Sequence, residues 1–230
     1  MTTRRIFITG VGRGLGHELA SQLLGQGHEV WGSTRSGSCD LELAGCVAIE
    51  LADEASIIAG AAAVGLDAID VLINCAGIDS RSTDADVDNR GPFGVDSATL
   101  NAVMAVNVNA PMVLTRELLP RLQAGDDAVV LNITSQLGSM EVAKSGGSDT
   151  PYCISKAALN MLSVKTAAAL KNDGIVVVML HPGWVQTDMG GAAAQLTMDE
   201  SASAIVDTLS QLTMADSGRF ITWDNRTHPW

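Results

Sequence analysis

The chain has 230 residues, 47% of them hydrophobic and only 3% aromatic, and a formal net charge of −12. This length suffices for one large domain with a full core, and the Ala, Val, Leu and Ile stock suits helices packed on a buried sheet. The acidic balance argues against nucleic acid and membrane surfaces as partners, so an anionic ligand would need a local basic pocket.

An apolar strand pattern opens the chain at residues 5–9, and no targeting segment is predicted ahead of it. A helix is predicted over 15–26, with Leu19, Leu23 and Leu24 inward, then a strand over 28–34. A third strand at 46–51, a helix at 54–64 and a nearly continuous apolar strand at 69–74 follow. Residues 97–122 read as one long helix or two, with Pro111 as the candidate kink. Strands at 128–134, 175–180 and 219–223 alternate with helices at 152–171 and 198–212. Continuous apolar strands alternating with helices predict an α/β fold, a doubly wound parallel sheet of about seven strands with helices on both faces. No linker or repeat divides residues 1–230, which are read as a single domain. No apolar run reaches the roughly 18 residues of a membrane span. Four cysteines without paired or zinc spacing read as free thiols of a cytoplasmic protein, with no metal site. The long polar loops at 79–95 and 138–150 fall where such folds bind ligands.

The first predicted strand runs into Thr9-Gly10-Val11-Gly12-Arg13-Gly14-Leu15-Gly16, which opens the first helix. Glycines permit a tight turn and close approach to a pyrophosphate, and the helix N-terminus supplies N–H groups and partial positive charge. The strand–loop–helix context predicts a Rossmann-type dinucleotide site, although Leu15 stands where G-x-G-x-x-G has its last glycine. NAD binding usually uses an acid roughly 20 residues beyond, at the end of the second strand. That end reads Gly32-Ser33-Thr34-Arg35. Arg35 and Arg13 are the basic candidates for the 2′-phosphate of NADP(H), which leaves NAD(H) the second choice.

Tyr152, the one tyrosine, precedes Lys156 by four residues, so on a helix the two share a face. A phenol with a pKa of about 10 is a poor acid at neutral pH, and a fixed ammonium beside it favours the phenolate. Such a pair can exchange a proton with an alcohol or carbonyl oxygen. It is also the pattern of a surface Lys one turn after a half-buried Tyr.

Taken together, the motifs resemble the short-chain dehydrogenases/reductases. The glycine turn matches over 9–16, and Asn74-Cys75-Ala76-Gly77 matches N-N-A-G with Cys in place of the second Asn. Asn107 matches the helix asparagine, Ser135 the serine before x-x-G, Tyr152 and Lys156 the Y-x-x-x-K pair, and Pro182-Gly183 with Thr187 the P-G…T segment. S-K-A-A-L-N-M, H-P-G-W-V-Q-T-D-M-G-G and the ending W-D-N-R-T-H-P-W resemble the C-factor/Sniffer-like branch, related to carbonyl reductases, though Asp224-Asn225 stands where that branch has Asp-Gly.

The resemblance implies an NADPH-dependent carbonyl reductase acting on a small-molecule carbonyl or alcohol. Tyr152 would give the proton, with its pKa lowered by Lys156, which would also hold the nicotinamide ribose. Ser135 would bond the substrate oxygen, and Asn107 would hold a water leading from Lys156 to solvent. The cofactor cleft would be lined by Gly10, Gly12, Arg13, Gly14, Leu15 and Gly16 in the turn and by Arg35 after the second strand. Glu50 and Leu51, at the end of the third strand, would meet the adenine. Asn74, Ala76, Gly77, Pro182, Gly183, Val185 and Thr187 would complete it. Many family members pair subunits through helices matching 97–122 and 152–171, so a homodimer or homotetramer is expected. There Ala157, Ala158, Met161 and Val164 suit close contact between helices, or an internal core equally.

Singly, these residues also fit structural roles. Ser135 suits a local backbone bond, Asn74 and Asn107 a turn and a helix bend, and Thr187 an N-cap. Two other functions stay open, a dinucleotide-binding signalling or regulatory protein and an NAD-dependent alcohol dehydrogenase. The intact Ser, Tyr and Lys weigh against the first, and the missing acid near Thr34 against the second. Ser135 and Tyr152 lie 17 positions apart, more than is common in the family. The added segment, with Gly146 and Gly147, would shape the substrate pocket or shield the helix at 152–171. Met140, Trp184, Met189 and Leu196 are the apolar candidates for the pocket.

Overall fold

The computed structural model describes residues 2–83, 90–144 and 149–230. One sheet contains β1 (Arg5–Thr9), β2 (Glu29–Thr34), β3 (Gly45–Ala48), β4 (Val71–Asn74), β5 (Val129–Ile133), β6 (Val176–His181) and β7 (Phe220–Thr222). Its order is β3-β2-β1-β4-β5-β6-β7, and every pairing is parallel. Strands β4, β5 and β6 are buried at every residue, which is why they read as unbroken apolar runs rather than alternating ones.

Helices α1 (Gly14–Gly25) and α7 (Met198–Gln211) cover one face, where Leu19, Leu23, Ile205 and Leu209 meet Ile6 and Ile8. Helices α2 (Glu54–Ala63), α4 (Ala110–Gln123) and α6 (Thr150–Ala169) cover the other, where Ile57, Leu114, Leu118 and Ala167 join the cluster of Phe7 and Leu72. The sheet is the doubly wound one the sequence predicts.

Two elements differ from expectation. Strand β3 stops at Ala48, short of Leu51. Ile49 N–H still bonds Thr34 O, but Glu50 O then accepts from Asp53 N and the chain turns into α2, which Asp53 caps. The predicted helix at 97–122 divides into α3 (Ser97–Met104), a π turn at Ala105–Asn109 and α4. Pro111 directly follows the π turn, and its missing N–H and the crowding of its ring against the carbonyl four residues back, at Asn107, fall within that turn, so the irregularity lies where the candidate kink would put it. The run Ser97–Gln123 is long and apolar enough to cross a bilayer, contrary to the sequence reading, but 56% of that window is buried inside the molecule. It is a core helix in composition as well as in position.

The strand order reverses at β1 and β4, so their C-terminal ends diverge and open a crevice. Thr9 Oγ1 ties its two lips together by accepting from Cys75 N and Ala76 N, both at 3.0 Å. At the opposite end of the sheet, buried Asp70 accepts from Arg5 N (2.7 Å), Nε (3.0 Å) and Nη2 (2.6 Å) and from Asp126 N (2.8 Å). Burial alone would raise this carboxyl, but the bonds from Arg5 and Asp126 outweigh it and hold the pKa below the ordinary 3.8.

Asp70→Asn should therefore lower stability by about 2–3 kcal/mol, read as a lower urea midpoint at pH 7. Because the folded pKa is depressed, the carboxylate's contribution is complete above the unfolded value and is lost as pH falls through the folded one. The variant should lose less stability on acidification, and an unchanged midpoint at pH 7 would show that Asp70 stabilises nothing.

Candidate active site

Gly10 and Gly14 adopt φ of +79° and +63°, left-handed values that let the chain turn from β1 into α1. A Cβ on Gly16 would stand 2.5 Å from Gly10 O, so only glycine lets the helix close on the turn. Arg13, at the N-cap, makes no side-chain bond to the first turn of this 12-residue helix. Its leading N–H groups are thus placed for an anion. Gly12 lies against Thr34, its Cβ position 3.2 Å from Thr34 Cγ2, which brings Arg13 and Arg35 to the same end of the crevice. These features fit a dinucleotide phosphate. Glu50 is exposed and its carboxylate turns back to Ala52 N at 3.2 Å, while Leu51 packs against the core. Both lie beyond the end of β3, not on it.

The π turn sets Asn107, which is 1% exposed. Its Oδ1 accepts from Ile78 N at 2.8 Å, and its Nδ2 donates to Ile78 O at 2.8 Å and to Ser155 Oγ at 2.9 Å. Ser155 Oγ in turn donates to Tyr152 O at 2.8 Å. Asn107 thus joins the turn after β4 to the first turns of α6. Gly77 lies beside it, with its Cβ position 3.2 Å from Asn107 Oδ1 and 3.4 Å from Lys156 Nζ. The Asn74 side chain faces the interior instead, donating to Asn132 Oδ1 at 2.8 Å, and Asn132 donates to Ser163 Oγ at 2.8 Å.

Helix α6 begins two residues before the predicted 152, because Asp149 caps it and Pro151 fits its first turn. Asp149 is a residue the motif reading missed, although Asp-x-Pro ahead of an apolar run signals a helix start. Its buried carboxylate accepts from Tyr152 N (3.1 Å), Ser80 N (3.1 Å) and Ser80 Oγ (2.7 Å), so it fixes the turn that carries Tyr152.

Ser135, Tyr152 and Lys156 converge. Ser135 follows β5, and its Oγ accepts from Leu137 N at 3.1 Å, which leaves its own proton to donate. Lys156 Nζ donates to Ile133 O at 2.9 Å and lies 5.5 Å from the Tyr152 ring centroid. Burial pushes the Tyr152 phenol above its ordinary value, a hydrogen bond with Ser135 opposes this, and Asp79, Cys153 and Asp149 reinforce it. The lowered phenol expected from the Lys156 pairing is not what this geometry yields. Lys156 is itself 4% exposed, and burial lowers its pKa to about 8, with Cys75 acting against the fall. Burial likewise pushes the Cys75 thiol up to about 12.

The backbone just before the added residues lies against α6. A Cβ on Gly138 would stand 2.7 Å from the Lys156 carbonyl carbon, and Asn160 Nδ2 donates to Gly138 O at 3.4 Å. Helix α5 (Met140–Ala143) follows, with Met140 exposed, while Gly146 and Gly147 lie outside the described residues. Beyond β6, Pro182 O accepts from Ser201 Oγ, and Val185 bridges to Leu196. A Cβ on Gly183 would clash with Leu196, so that leucine is packing in the loop. Thr187 Oγ1 accepts from Gly190 N at 3.0 Å, closing a turn rather than capping a helix, and its methyl faces Gly14. Trp184 is half exposed and donates to Gly190 O at 2.8 Å. A cavity of about 370 Å³ opens between Gly14, Gln186, Thr187 and Met198.

Residues 4–198 match the model of the short chain dehydrogenase family. The chain is 36% identical over 162 residues to the C-signal of Myxococcus xanthus, covering 70% of this chain and 93% of that protein. The solved NADPH-bound carbonyl reductase from chicken fatty liver superposes with a TM-score of 0.86 at 31% identity, and the carbonyl reductase Sniffer of D. melanogaster with 0.88 at 28%. Both likenesses cover all of each chain.

Lys156 carries its charge into a buried place where one carbonyl receives it, so Lys156→Met should raise the thermal midpoint at pH 7. The unfolded lysine, at 10.5, holds its proton more tightly than the folded one at about 8. The parent protein then gains stability as pH rises from about 8 toward 10.5, and the variant's advantage should shrink across that window. A lower midpoint for the variant at pH 7 would contradict this electrostatic account.

Proposed function

The chain belongs to the short-chain dehydrogenase family, near the C-factor/Sniffer branch, and from that membership we propose that it reduces a small-molecule ketone or aldehyde with NADPH. The observation that carries this reading is the convergence of Ser135, Tyr152 and Lys156 beside the crevice of β1 and β4. Bound there, the nicotinamide supplies the hydride for the carbonyl carbon. Tyr152 gives its proton to the carbonyl oxygen as negative charge grows on it. A half-buried phenol with a raised pKa keeps that proton through neutral pH, and an alkoxide is basic enough to take it. Ser135 donates to the same oxygen, its hydroxyl oriented by Leu137 N–H. Lys156 has two N–H bonds beyond the one to Ile133 O, and these serve the ribose hydroxyls and the phenolate left after transfer.

NADPH is favoured over NADH because Arg13 and Arg35 flank one end of the crevice and the end of β2 lacks an acid. The NADPH carried by the chicken carbonyl reductase agrees with it. The exposed Met112 on α4 and Ile154 and Met161 on α6 favour a second copy of the chain as partner across these helices. The likeness to the C-signal supports a signalling role as the second reading. In that case a dinucleotide would bind but Tyr152 would have no reaction to serve.

A carbonyl panel followed by NADPH absorbance tests this function. Tyr152→Phe should cut turnover by about 10²–10⁴-fold while NADPH still binds, and activity retained in the variant would assign the acid elsewhere. Arg35→Ala should weaken NADPH binding and leave NADH binding nearly unchanged. Equal NADPH and NADH affinities in the parent protein would refute the cofactor preference.

A further inference from the structure

Arg13 is engaged before any phosphate arrives. Its Nη1 lies 2.8 Å from Asp188 Oδ2, a pairing that spans 175 positions of sequence and joins the glycine turn to the segment after β6. Both residues line the cavity that also touches Gly14 and Thr187. The next residue, Met189, is held from the other lip of the crevice, because Arg81 Nη2 donates to Met189 O at 2.6 Å. Arg81 is fixed in turn by buried Asp79, which accepts from its Nε at 2.7 Å. The segment therefore bridges the crevice between two arginines, one of which is a candidate for the cofactor phosphate. Arg35, at the same end, has no ion pair among the described residues and is exposed.

We propose that Asp188 is a specificity-determining residue for the cofactor that acts through Arg13. Its carboxylate holds the guanidinium in the free protein and yields it to the 2′-phosphate of NADP(H). A phosphate offers more charge and three acceptor oxygens, so it outcompetes one carboxylate for a forked donor. NADH offers no such group, and the Arg13–Asp188 pair survives its binding. The inference rests on Arg13 serving the phosphate. The side chains of Arg13 and Asp188 are 80% and 83% exposed, so the pair is weak enough to exchange. Only one end of the bridge is freed, because Met189 stays on Arg81.

Equilibrium binding of NADPH and NADH to the parent protein, Asp188→Asn, Arg13→Ala and the double variant tests this without reference to turnover. Asp188→Asn should tighten NADPH binding roughly three- to fivefold, the scale of an exposed ion pair, and leave NADH within about twofold. In the Arg13→Ala background the same change should have no effect, as a double-mutant cycle requires of an interaction routed through Arg13. An equal gain for both cofactors, or a gain that persists without Arg13, would mean only that a negative charge was removed, and the inference falls. A parent protein that prefers NADPH but is indifferent to Asp188 overturns this inference alone. A parent protein with no preference overturns the NADPH reading itself, and this inference with it.

Discussion

The arrangement depends on one buried amide. Asn107 has two donor protons and an acceptor oxygen, all engaged, and its partners belong to two separate segments of chain. A buried primary amide with any of these bonds missing would destabilise its surroundings by about 1–3 kcal/mol, so the three lock one another. A regular helix from 97 to 123 would shift the residues beyond 104 around the axis by the extra residue that the π turn absorbs. The wider turn sets the side chain between Ile78 and Ser155, and through Ser155 it reaches the backbone of Tyr152. Lys156, one turn further along α6, comes to lie beside Gly77. Tyr152, Lys156 and the turn after β4 are thereby positioned by a residue on a third element.

Much of this could be read from the sequence because the chemistry is local. Strands β4, β5 and β6 declare themselves as unbroken apolar runs, since both faces are covered. The glycine turn, Ser135 and the Tyr152–Lys156 spacing lie in short stretches whose geometry follows from their neighbours. What escaped depends on distant partners. Pro111 marks an irregularity near residue 107 but not that it is a π turn; the bonds that hold the Asn107 side chain come from Ile78 and Ser155. The role of Asp149 is visible as a cap, but its grip on Ser80 is not. The Tyr152 phenol moved opposite to expectation because spacing reveals the ammonium nearby but not the desolvation of both groups, and burial is the larger influence here. Asp188 is silent because its partner lies far away in the chain.

The two ends of the sheet treat buried polar groups differently. At one end, the Asp70 carboxylate is surrounded by donors that more than offset its desolvation. At the other, Tyr152, Lys156 and Cys75 are all displaced toward their uncharged forms by burial. The first end keeps a charge, while at the second these three groups are pushed toward neutrality although Asp79 and Asp149 nearby are held by donors. A site built the second way is poised for reaction, since any group that supplies charge complementarity there gains more than it would in water.

Gly138 bears on how such a site can change over time. Its backbone rests on the Lys156 carbonyl with no room for a side chain, yet two residues later Met140 stands in solvent. Heritable variation in this stretch is therefore partitioned. A change at 138 displaces Lys156 and is felt in every reaction the molecule could perform, whereas changes at the exposed Met140 and Glu141 alter the outer surface and leave Lys156 in place. The boundary between what a lineage can explore and what it must keep is drawn within two residues, by contact with the helix beneath.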